Sequence, residues 1–243
     1  MNVTTTEILD ARDALDRARV AEALLGGGVV ACAYNGIYTL LGDADDATVP
    51  ARAAAAKGRP EAQGLALVCP PEHLGEHVAL DAPVLRSAYP FDAVQELSRA
   101  VHAVGLILPA AVPGAPSHLV QAGTILNVWT EERPLSPLRE LVRELRSRGR
   151  RALAGTSANR TGEPTITTSA EVVDVFSGRV DAILLDDFGH VAEARRRSAS
   201  IVDLTAPIPR LVREGSVAAG ELATQLGRLG LGELQVAADV RRV

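Results

Sequence analysis

The sequence predicts an α/β protein, because strand-like and helix-like segments alternate along it and because its apolar residues are aliphatic. Short apolar runs typical of buried strands alternate with segments whose apolar residues recur at helical spacing. Hydrophobic residues make up 47% of the 243 positions and aromatic residues only 3%, so the core must be built from aliphatic side chains. With neither an internal repeat nor a low-complexity linker, this alternation favours an α/β architecture.

The first part of the chain contains two predicted helices. Residues 10–25 carry apolar side chains at helical spacing and end at three glycines, which are typical of a helix end. Residues 49–56 form a short Ala-rich helix. Buried strands are predicted around them at residues 29–33 and 64–69, and a turn signal at Asn35 and Gly36 follows the first of these strands.

The second part continues the alternation. Residues 138–145 form an amphipathic helix, and a capping box of Thr168 with Glu171 begins another. The segment 216–243 is expected to be helical and partly amphipathic. The predicted strands of this part are residues 105–108, 124–128, 151–155, 182–185 and 200–204.

The composition limits the classes of function. A net charge of −5 and the scarcity of aromatic residues argue against a broad nucleic-acid-binding surface. Cys32 and Cys69, each in a strand-like run, are too few for a disulfide framework or a zinc set, which predicts a reduced, cytoplasmic environment. The polar N-terminus and an apolar run no longer than residues 104–112 predict neither export nor a membrane span.

Histidines and acidic residues give no convincing metal site. Residues 73–77 match the HxxEH pattern of inverted zinc proteases, in which the two histidines share one helix face. Gly75 weakens such a helix and no third ligand is evident. We therefore predict no metal bound directly by the protein.

Residues 156–167 are the strongest candidate for an anion site. A strand is predicted before them and a helix after them, and Thr156, Ser157, Asn159 and Thr161 offer donors that carry no charge. The helix N-terminus adds unpaired N–H groups and a partial positive charge. An ordinary αβ loop uses the same residue types for its turns, so local chemistry leaves both interpretations open.

Cationic residues supply two further candidates. Lys57 and Arg59, separated by Gly58, can reach one phosphate or carboxylate, although Lys, Gly and Pro60 in this order also form a standard helix terminator. The run of arginines at positions 195–197 is expected in a loop, where it is either solvated or closes over an anionic ligand.

Three separated segments resemble one family in the same order. They are KGRP at 57–60, TSANRTGEPTITTSAEV at 156–172, and SIVDLT with PRLVREG between 200 and 215. Together they resemble the YrdC-like family, whose best-known members are threonylcarbamoyl-AMP synthases. The resemblance covers about residues 11–215. It implies a YrdC-like domain over 1–215, built on a twisted mixed sheet flanked by helices with a concave ligand cavity, and a C-terminal helical extension over 216–243.

The resemblance also implies roles for individual residues. The KxR and SxN pairs of the family meet in the cavity. They match the expected catalytic residues Lys57, Arg59, Ser157 and Asn159. ATP is expected to contact these four residues together with Thr156, Ser200 and Arg213, and the amino-acid substrate is expected to contact Tyr34, Asn35, Tyr38 and Lys57.

The family chemistry has two steps. ATP, bicarbonate and L-threonine give a carbamate that is adenylated with loss of pyrophosphate, and partner proteins then transfer the threonylcarbamoyl group to certain tRNAs. A phosphoryl transition state and a polyphosphate leaving group need cations and N–H donors, which Lys57, Arg59 and the 156–168 segment supply. Mg²⁺ is expected to accompany ATP, held mainly by phosphate oxygens and water.

The chain departs from the family at the amino-acid end. Two threonines whose hydroxyls help to hold the substrate are replaced by Tyr34 and Gly36. Three hypotheses follow. The first is a carbamoyl-adenylate synthase that acts on threonine or on another acceptor, including one repurposed for a specialised pathway. The second is a non-catalytic nucleotide- or RNA-binding relative, and the third is an interaction subunit with a vestigial cavity. We favour the synthase, because the KxR and SxN pairs are retained while their neighbours have changed.

Overall fold

The computed structural model describes residues 5–59, 64–101, 103–130, 137–159 and 163–242. Within them the chain forms seven α-helices and eleven β-strands. The helices are α1 (Ala14–Leu25), α2 (Val49–Ala56), α3 (Pro83–Ser87), α4 (Phe91–Ala100), α5 (Pro137–Ser147), α6 (Ser169–Phe176) and α7 (Ala219–Arg228). None of the helices described is long and apolar enough to cross a membrane.

The strands are distributed along the whole described chain. They are β1 (Glu7–Asp10), β2 (Val30–Tyr34), β3 (Ile37–Asp43), β4 (Ala66–Val68), β5 (Val104–Pro109), β6 (Thr124–Trp129), β7 (Leu153–Ser157), β8 (Ala182–Leu185), β9 (Ser200–Asp203), β10 (Arg210–Glu214) and β11 (Gln235–Arg242). Neighbouring strands run in both parallel and antiparallel directions, so the sheet is mixed. The predicted fold class, a mixed and twisted α/β sheet flanked by helices, is confirmed.

The chain divides into two compact units. The first comprises Met1–Leu65 and Leu135–Arg196. Its strands lie in the order β1-β8-β2-β3-β7, with β8 parallel to both β1 and β2, and with β3 antiparallel to both β2 and β7. Its core contains the apolar side chains of β2, β3 and α6, together with Ile166 and Phe188.

The second unit comprises Ala66–Pro134 and Arg197–Val243. Its strands lie in the order β4-β6-β5-β9-β10-β11. The pairs β4/β6, β5/β9 and β10/β11 are parallel, and the pairs β5/β6 and β9/β10 are antiparallel. The strand β11 has no counterpart in the prediction for the segment 216–243: that segment is helical only in α7 and ends as a strand. The predicted boundary at residue 215 also falls inside the second unit.

A two-residue turn joins β2 to β3 and shapes the first unit. Asn35 and Gly36 have φ values of +56° and +78°. Two consecutive positive φ values mark the type I′ turn, whose twist matches that of the paired strands and which favours Asn followed by Gly. The turn signal in the sequence thus marks a β-hairpin.

The strand before the candidate anion loop lies two residues later than predicted. β7 begins at Leu153 and ends at Ser157, so Thr156 and Ser157 belong to the strand. Pairing with β3 places Ser157 opposite Thr39 and Thr156 opposite Leu40. Two predicted ligand-binding residues are therefore held by a backbone ladder at the edge of the first unit's strand order, and not by a loop.

Candidate functional site

The end of α2 positions the two cations of the KxR pair. Gly58 has a φ of +64°, and the N–H groups of Gly58 and Arg59 donate to the carbonyls of Ala55 and Ala54, each at 3.0 Å. This is the hydrogen-bond pattern of a Schellman terminator. The helix-terminator interpretation is therefore confirmed. The same turn places Lys57 and Arg59 on either side of Gly58, and their shared contact with an anion stays a prediction.

Lys57 is the only lysine of the chain, and its side chain is bound to β7. The residue is 4% exposed. Its Nζ donates to the Ser157 carbonyl at 2.6 Å and to Thr156 Oγ1 at 3.4 Å. An ammonium group has three N–H donors. The two protein contacts therefore hold the charge in place and leave one donor for a ligand oxygen.

The electrostatic surroundings weaken the proton affinity of Lys57. Burial, and secondly the positive charge of Arg59, lower the pKa of Lys57 to about 8. Burial also lowers the pKa of Arg59. Two cations held close together in a partly desolvated place are destabilised, and an anion between or beside them removes that cost.

The SxN pair forms a short chain of hydrogen bonds. Ser157 Oγ donates to Asn159 Oδ1 at 2.7 Å, and Asn159 Nδ2 donates to the Glu163 carbonyl at 2.8 Å. Between them, the Ala158 N–H donates to the Tyr38 carbonyl at 2.7 Å. The contacts bring Lys57, Thr156, Ser157 and Asn159 together as predicted. Thr161 and Pro60 lie outside the described residues.

The N-terminus of α6 is used within the protein. Thr168 caps the helix by accepting from the Glu171 N–H at 3.3 Å, which confirms the predicted capping box in its first half. The Tyr38 hydroxyl hydrogen-bonds to Ser169 Oγ at 2.8 Å and to the Asp186 carbonyl at 3.1 Å. Tyr38 itself is fully buried. We therefore revise its expected substrate contact: its hydroxyl ties β3 to α6, so it positions the hairpin.

The hairpin tip is also buried. Tyr34 and Asn35 are 6% and 4% exposed. Neither atom of the Asn35 side-chain amide has a hydrogen-bond partner among the described residues. A buried amide without partners costs about 1–3 kcal/mol. Asn35 is thus the polar group at the tip that gains most from a ligand or a water molecule.

Position 36, where the family pattern has its second threonine, lies against the loop that contains Val191 and Arg196. A Cβ atom at Gly36 would lie 2.8 Å from Val191 Cγ1 and 2.9 Å from Arg196 Cγ. Arg196 is fixed there, because its Nε and a terminal nitrogen donate to the carbonyls of Val191 and Phe188 at 3.1 and 3.0 Å. The middle arginine of the 195–197 run therefore binds its own loop. A side chain at position 36 would therefore require Val191 and Arg196 to shift.

The predicted nucleotide contacts Ser200 and Arg213 lie in the second unit. Ser200 is fully buried; its Oγ donates to the Val217 carbonyl at 2.6 Å and accepts from the N–H groups of Gly215 and Val217 at 2.9 and 3.1 Å. Its hydroxyl is saturated, so we revise its expected role to that of ordering this turn. Among the described residues, Arg213 donates one side-chain hydrogen bond, from Nε to the Ala199 carbonyl at 2.8 Å.

Comparison with known proteins identifies relatives along most of the chain. A family model for Sua5, YciO and YrdC proteins, described as telomere recombination, matches residues 22–215. A curated relative from Mycobacterium leprae is 28% identical over 230 residues, which cover 93% of this chain and 96% of the relative. A relative from Mycobacterium tuberculosis is 28% identical over 227 residues. Both are provisionally named threonylcarbamoyl-AMP synthases.

Solved structures share the fold at low sequence identity. P. abyssi Sua5, solved in complex with L-threonine, matches with a TM-score of 0.71 and 20% identity over 96% of this chain. This chain spans only 63% of that protein. E. coli YciO matches with a TM-score of 0.68 and 20% identity, covering 91% of this chain and 100% of YciO. These structures are similar in fold to the two units described above.

Proposed function

Because the chain belongs to the Sua5/YciO/YrdC family, we propose that it is an ATP-dependent nucleotidyltransferase that forms a carbamoyl adenylate and releases pyrophosphate. The observation that carries the proposal is the Lys57 cluster, in which a buried ammonium group is held against Thr156 and Ser157. The names of the mycobacterial relatives support the same activity.

The proposed reaction balances with three substrates. The amine of the acceptor adds to the carbon of bicarbonate and water is lost, giving a carbamate. A carbamate oxygen then attacks the α-phosphorus of ATP, the bond from that phosphorus to the bridging oxygen breaks, and pyrophosphate leaves with the bond electrons. The charge that develops lies on phosphate oxygens, so the step needs cations and donors more than it needs an acid or a base.

The cluster provides these groups in a fixed geometry. Lys57 and Arg59 neutralise the negative charge on the phosphates, and the remaining N–H of Lys57 binds a phosphate oxygen. Ser157 and Asn159 orient each other through their 2.7 Å hydrogen bond. A cluster that is already ordered requires little reorganisation in the transition state, which is the main source of electrostatic catalysis.

In this proposal Mg²⁺ enters with ATP, bound by phosphate oxygens and water, and no protein ligand is assigned to it. Transfer of the carbamoyl group to tRNA would require partner proteins. Among the described residues, we assign none to Mg²⁺ binding or to the transfer to tRNA.

We propose that the acceptor binds at the hairpin tip, beside Tyr34 and Asn35. P. abyssi Sua5 was solved with L-threonine, which makes threonine one candidate acceptor. Gly36 lacks the threonine hydroxyl of the family pattern, and Val191 and Arg196 occupy the space that a side chain at this position would need. We therefore propose an amino-acid acceptor whose polar group binds the Asn35 amide, with L-threonine as the first compound to test.

The product is identified by mass spectrometry after incubation with ATP, Mg²⁺ and [13C]bicarbonate. L-Threonine, a panel of other amino acids and carbamoyl phosphate are compared. The proposal predicts a product that contains AMP and the acceptor, and that is one mass unit heavier with labelled than with unlabelled bicarbonate. A labelled product from an acceptor other than threonine identifies a repurposed enzyme. ATP binding without any AMP-bearing product contradicts the proposal and favours the non-catalytic alternative.

A further inference from the structure

Two arginines lie opposite each other on the parallel strands β10 and β11 of the second unit. Arg210 is opposite Gln235 and Leu211 is opposite Val236, and regular pairing would then place Ala238 beside Arg213. The register shifts at this point, and Arg241 takes that place instead. Between these paired positions β11 has the four residues 237–240 where β10 has only Val212, so the irregularity places Arg241 directly beside Arg213.

The positive charges of this pair are not balanced within the described chain. Arg213 donates once, from Nε to the Ala199 carbonyl, and no described acidic side chain forms an ion pair with either Arg213 or Arg241. Arg210, on the same strand, does have such a partner, because its terminal nitrogen lies 3.3 Å from Asp203 Oδ2. The contrast shows that β10 carries one arginine paired with an acid and one that is not.

The two guanidinium groups affect each other. Burial, and secondly the charge of Arg241, lower the pKa of Arg213 to about 10. Adjacent strands are about 4.8 Å apart, and directly opposite residues point to the same face of a sheet. Like charges in this position destabilise the pair. An anion bound by both groups turns this repulsion into attraction.

We propose that Arg241 acts together with Arg213, whose contact with ATP the family resemblance already implies, to bind a phosphate group. Each guanidinium group presents a planar fork of N–H donors that matches two phosphate oxygens. Within the described part of the chain, Arg213 donates a hydrogen bond only from Nε, which leaves its terminal nitrogens available for this contact. Arg241 therefore gives the C-terminal segment, which lies beyond the family match at residue 215, a ligand-binding role.

The ligand class is a diphosphate or triphosphate group, either free or on a nucleotide. The choice of ATP as its source rests on the proposed function, whereas binding of free pyrophosphate does not depend on turnover. RNA is disfavoured by the net charge of −5, and it is treated as an outcome of the test.

The test is a calorimetric titration of the full chain with pyrophosphate, ATP and AMP. Arg241→Ala is compared with the wild type and with Arg210→Ala, which removes an arginine of the same strand that already has an acidic partner. The same comparison in a Lys57→Ala background separates this site from the Lys57 cluster. Circular dichroism checks that each variant is folded.

The proposal predicts that Arg241→Ala weakens pyrophosphate binding by about tenfold in both backgrounds, as expected for loss of a charge-assisted contact. It also predicts a shallower dependence on salt, while Arg210→Ala binds like the wild type. Equal pyrophosphate and ATP affinities for Arg241→Ala and the wild type overturn it. So does a loss confined to RNA binding.

These results are independent of the product assay. If no AMP-bearing product forms but Arg241→Ala loses pyrophosphate affinity, the proposed function fails and the phosphate site stands. If the product forms and Arg241→Ala binds pyrophosphate normally, the phosphate site fails and the proposed function stands.

Discussion

At the residue scale, one of the 25 lysine and arginine positions is lysine and the other 24 are arginine. The single lysine is the one that is buried against β7. A lysine ammonium is a compact point charge whose pKa falls readily on burial, whereas a guanidinium group stays charged and needs a planar partner. Lys57 can therefore donate to Ser157 and Thr156 in a small space and still reach a phosphate oxygen.

The unique lysine allows its pKa to be measured directly. We predict that acylation of Lys57, followed by peptide mass spectrometry over a pH series, has a midpoint near 8, because burial and the charge of Arg59 lower its pKa to about 8. ATP should protect Lys57 and raise the midpoint, since phosphate stabilises the ammonium form. A midpoint that ATP leaves unchanged would contradict a phosphate contact.

The same pKa fixes the direction of a second pH effect. In the proposed site ATP binds the charged form of Lys57, and the charged fraction of Lys57 in the free protein falls as pH rises through about 8. The affinity for ATP should therefore decrease above pH 8, by up to about tenfold per pH unit while the bound form stays protonated. Titrations between pH 7 and 9.5 measure this. Lys57→Met should bind weakly with little pH dependence; a slope equal to that of the wild type would assign the effect to another group.

Asn35 allows a test that separates its turn geometry from its side chain. Glycine adopts the φ of +56° of this position without strain, so Asn35→Gly should keep the hairpin and the thermal stability. If the buried amide binds the acceptor, the KM for the acceptor should rise by about tenfold while ATP affinity is kept. An unchanged KM would limit Asn35 to the turn.

At this scale the structure contains contacts that the sequence predicted, while the binding and catalytic roles of these residues stay predictions. The contacts among Lys57, Thr156, Ser157 and Asn159 match the pairs identified in the sequence. The saturation of the Tyr38 and Ser200 hydroxyls could not be predicted, because their partners are distant in the chain. Arg241 was missed because only the register shift of β11 places it beside Arg213.

At the element scale, one glycine allows α2 to pack on β3. A Cβ atom at Gly42 would lie 2.5 Å from Val49 Cγ1 and 2.7 Å from Cγ2. Val49 begins α2, and Lys57 follows its last residue. The distance between this helix and its strand therefore sets the position of the lysine.

We predict that Gly42→Ala lowers the free energy of unfolding by about 1–3 kcal/mol and weakens ATP binding, because the added methyl group displaces α2. Thermal unfolding and calorimetry measure the two effects. The double variant Gly42→Ala with Val49→Ala removes the clashing methyl groups and should recover part of both. Gly42→Ala with unchanged ATP affinity would show that α2 tolerates the displacement.

Local signals explain which elements were predicted. The helix over 49–56 was predicted with the bounds of α2, because an Ala-rich run ended by Gly58 is decided by neighbouring residues. Asn35 and Gly36 carried the signal of a type I′ hairpin, from which β3 could have been predicted. β11 could not be predicted from local signals, because its eight residues form a strand by pairing with β10.

At the scale of the whole molecule, the candidate residues are divided between two compact units. Lys57, Arg59, Thr156, Ser157 and Asn159 belong to the first, and Ser200 and Arg213 to the second. Each unit draws on both early and late parts of the chain. The order of the motifs along the sequence could identify the family, but it could not show this division.

The measurement that tests the central claim most directly is the rate of pyrophosphate release from ATP with bicarbonate and L-threonine or another acceptor. Wild type, Lys57→Ala and Arg228→Ala are compared; Arg228 is an exposed residue of α7 and serves as the control. We predict acceptor-dependent release by the wild type and by Arg228→Ala, and at least a hundredfold loss, about 3 kcal/mol of transition-state stabilisation, in folded Lys57→Ala. Equal release by Lys57→Ala and the wild type would contradict the assignment of the site.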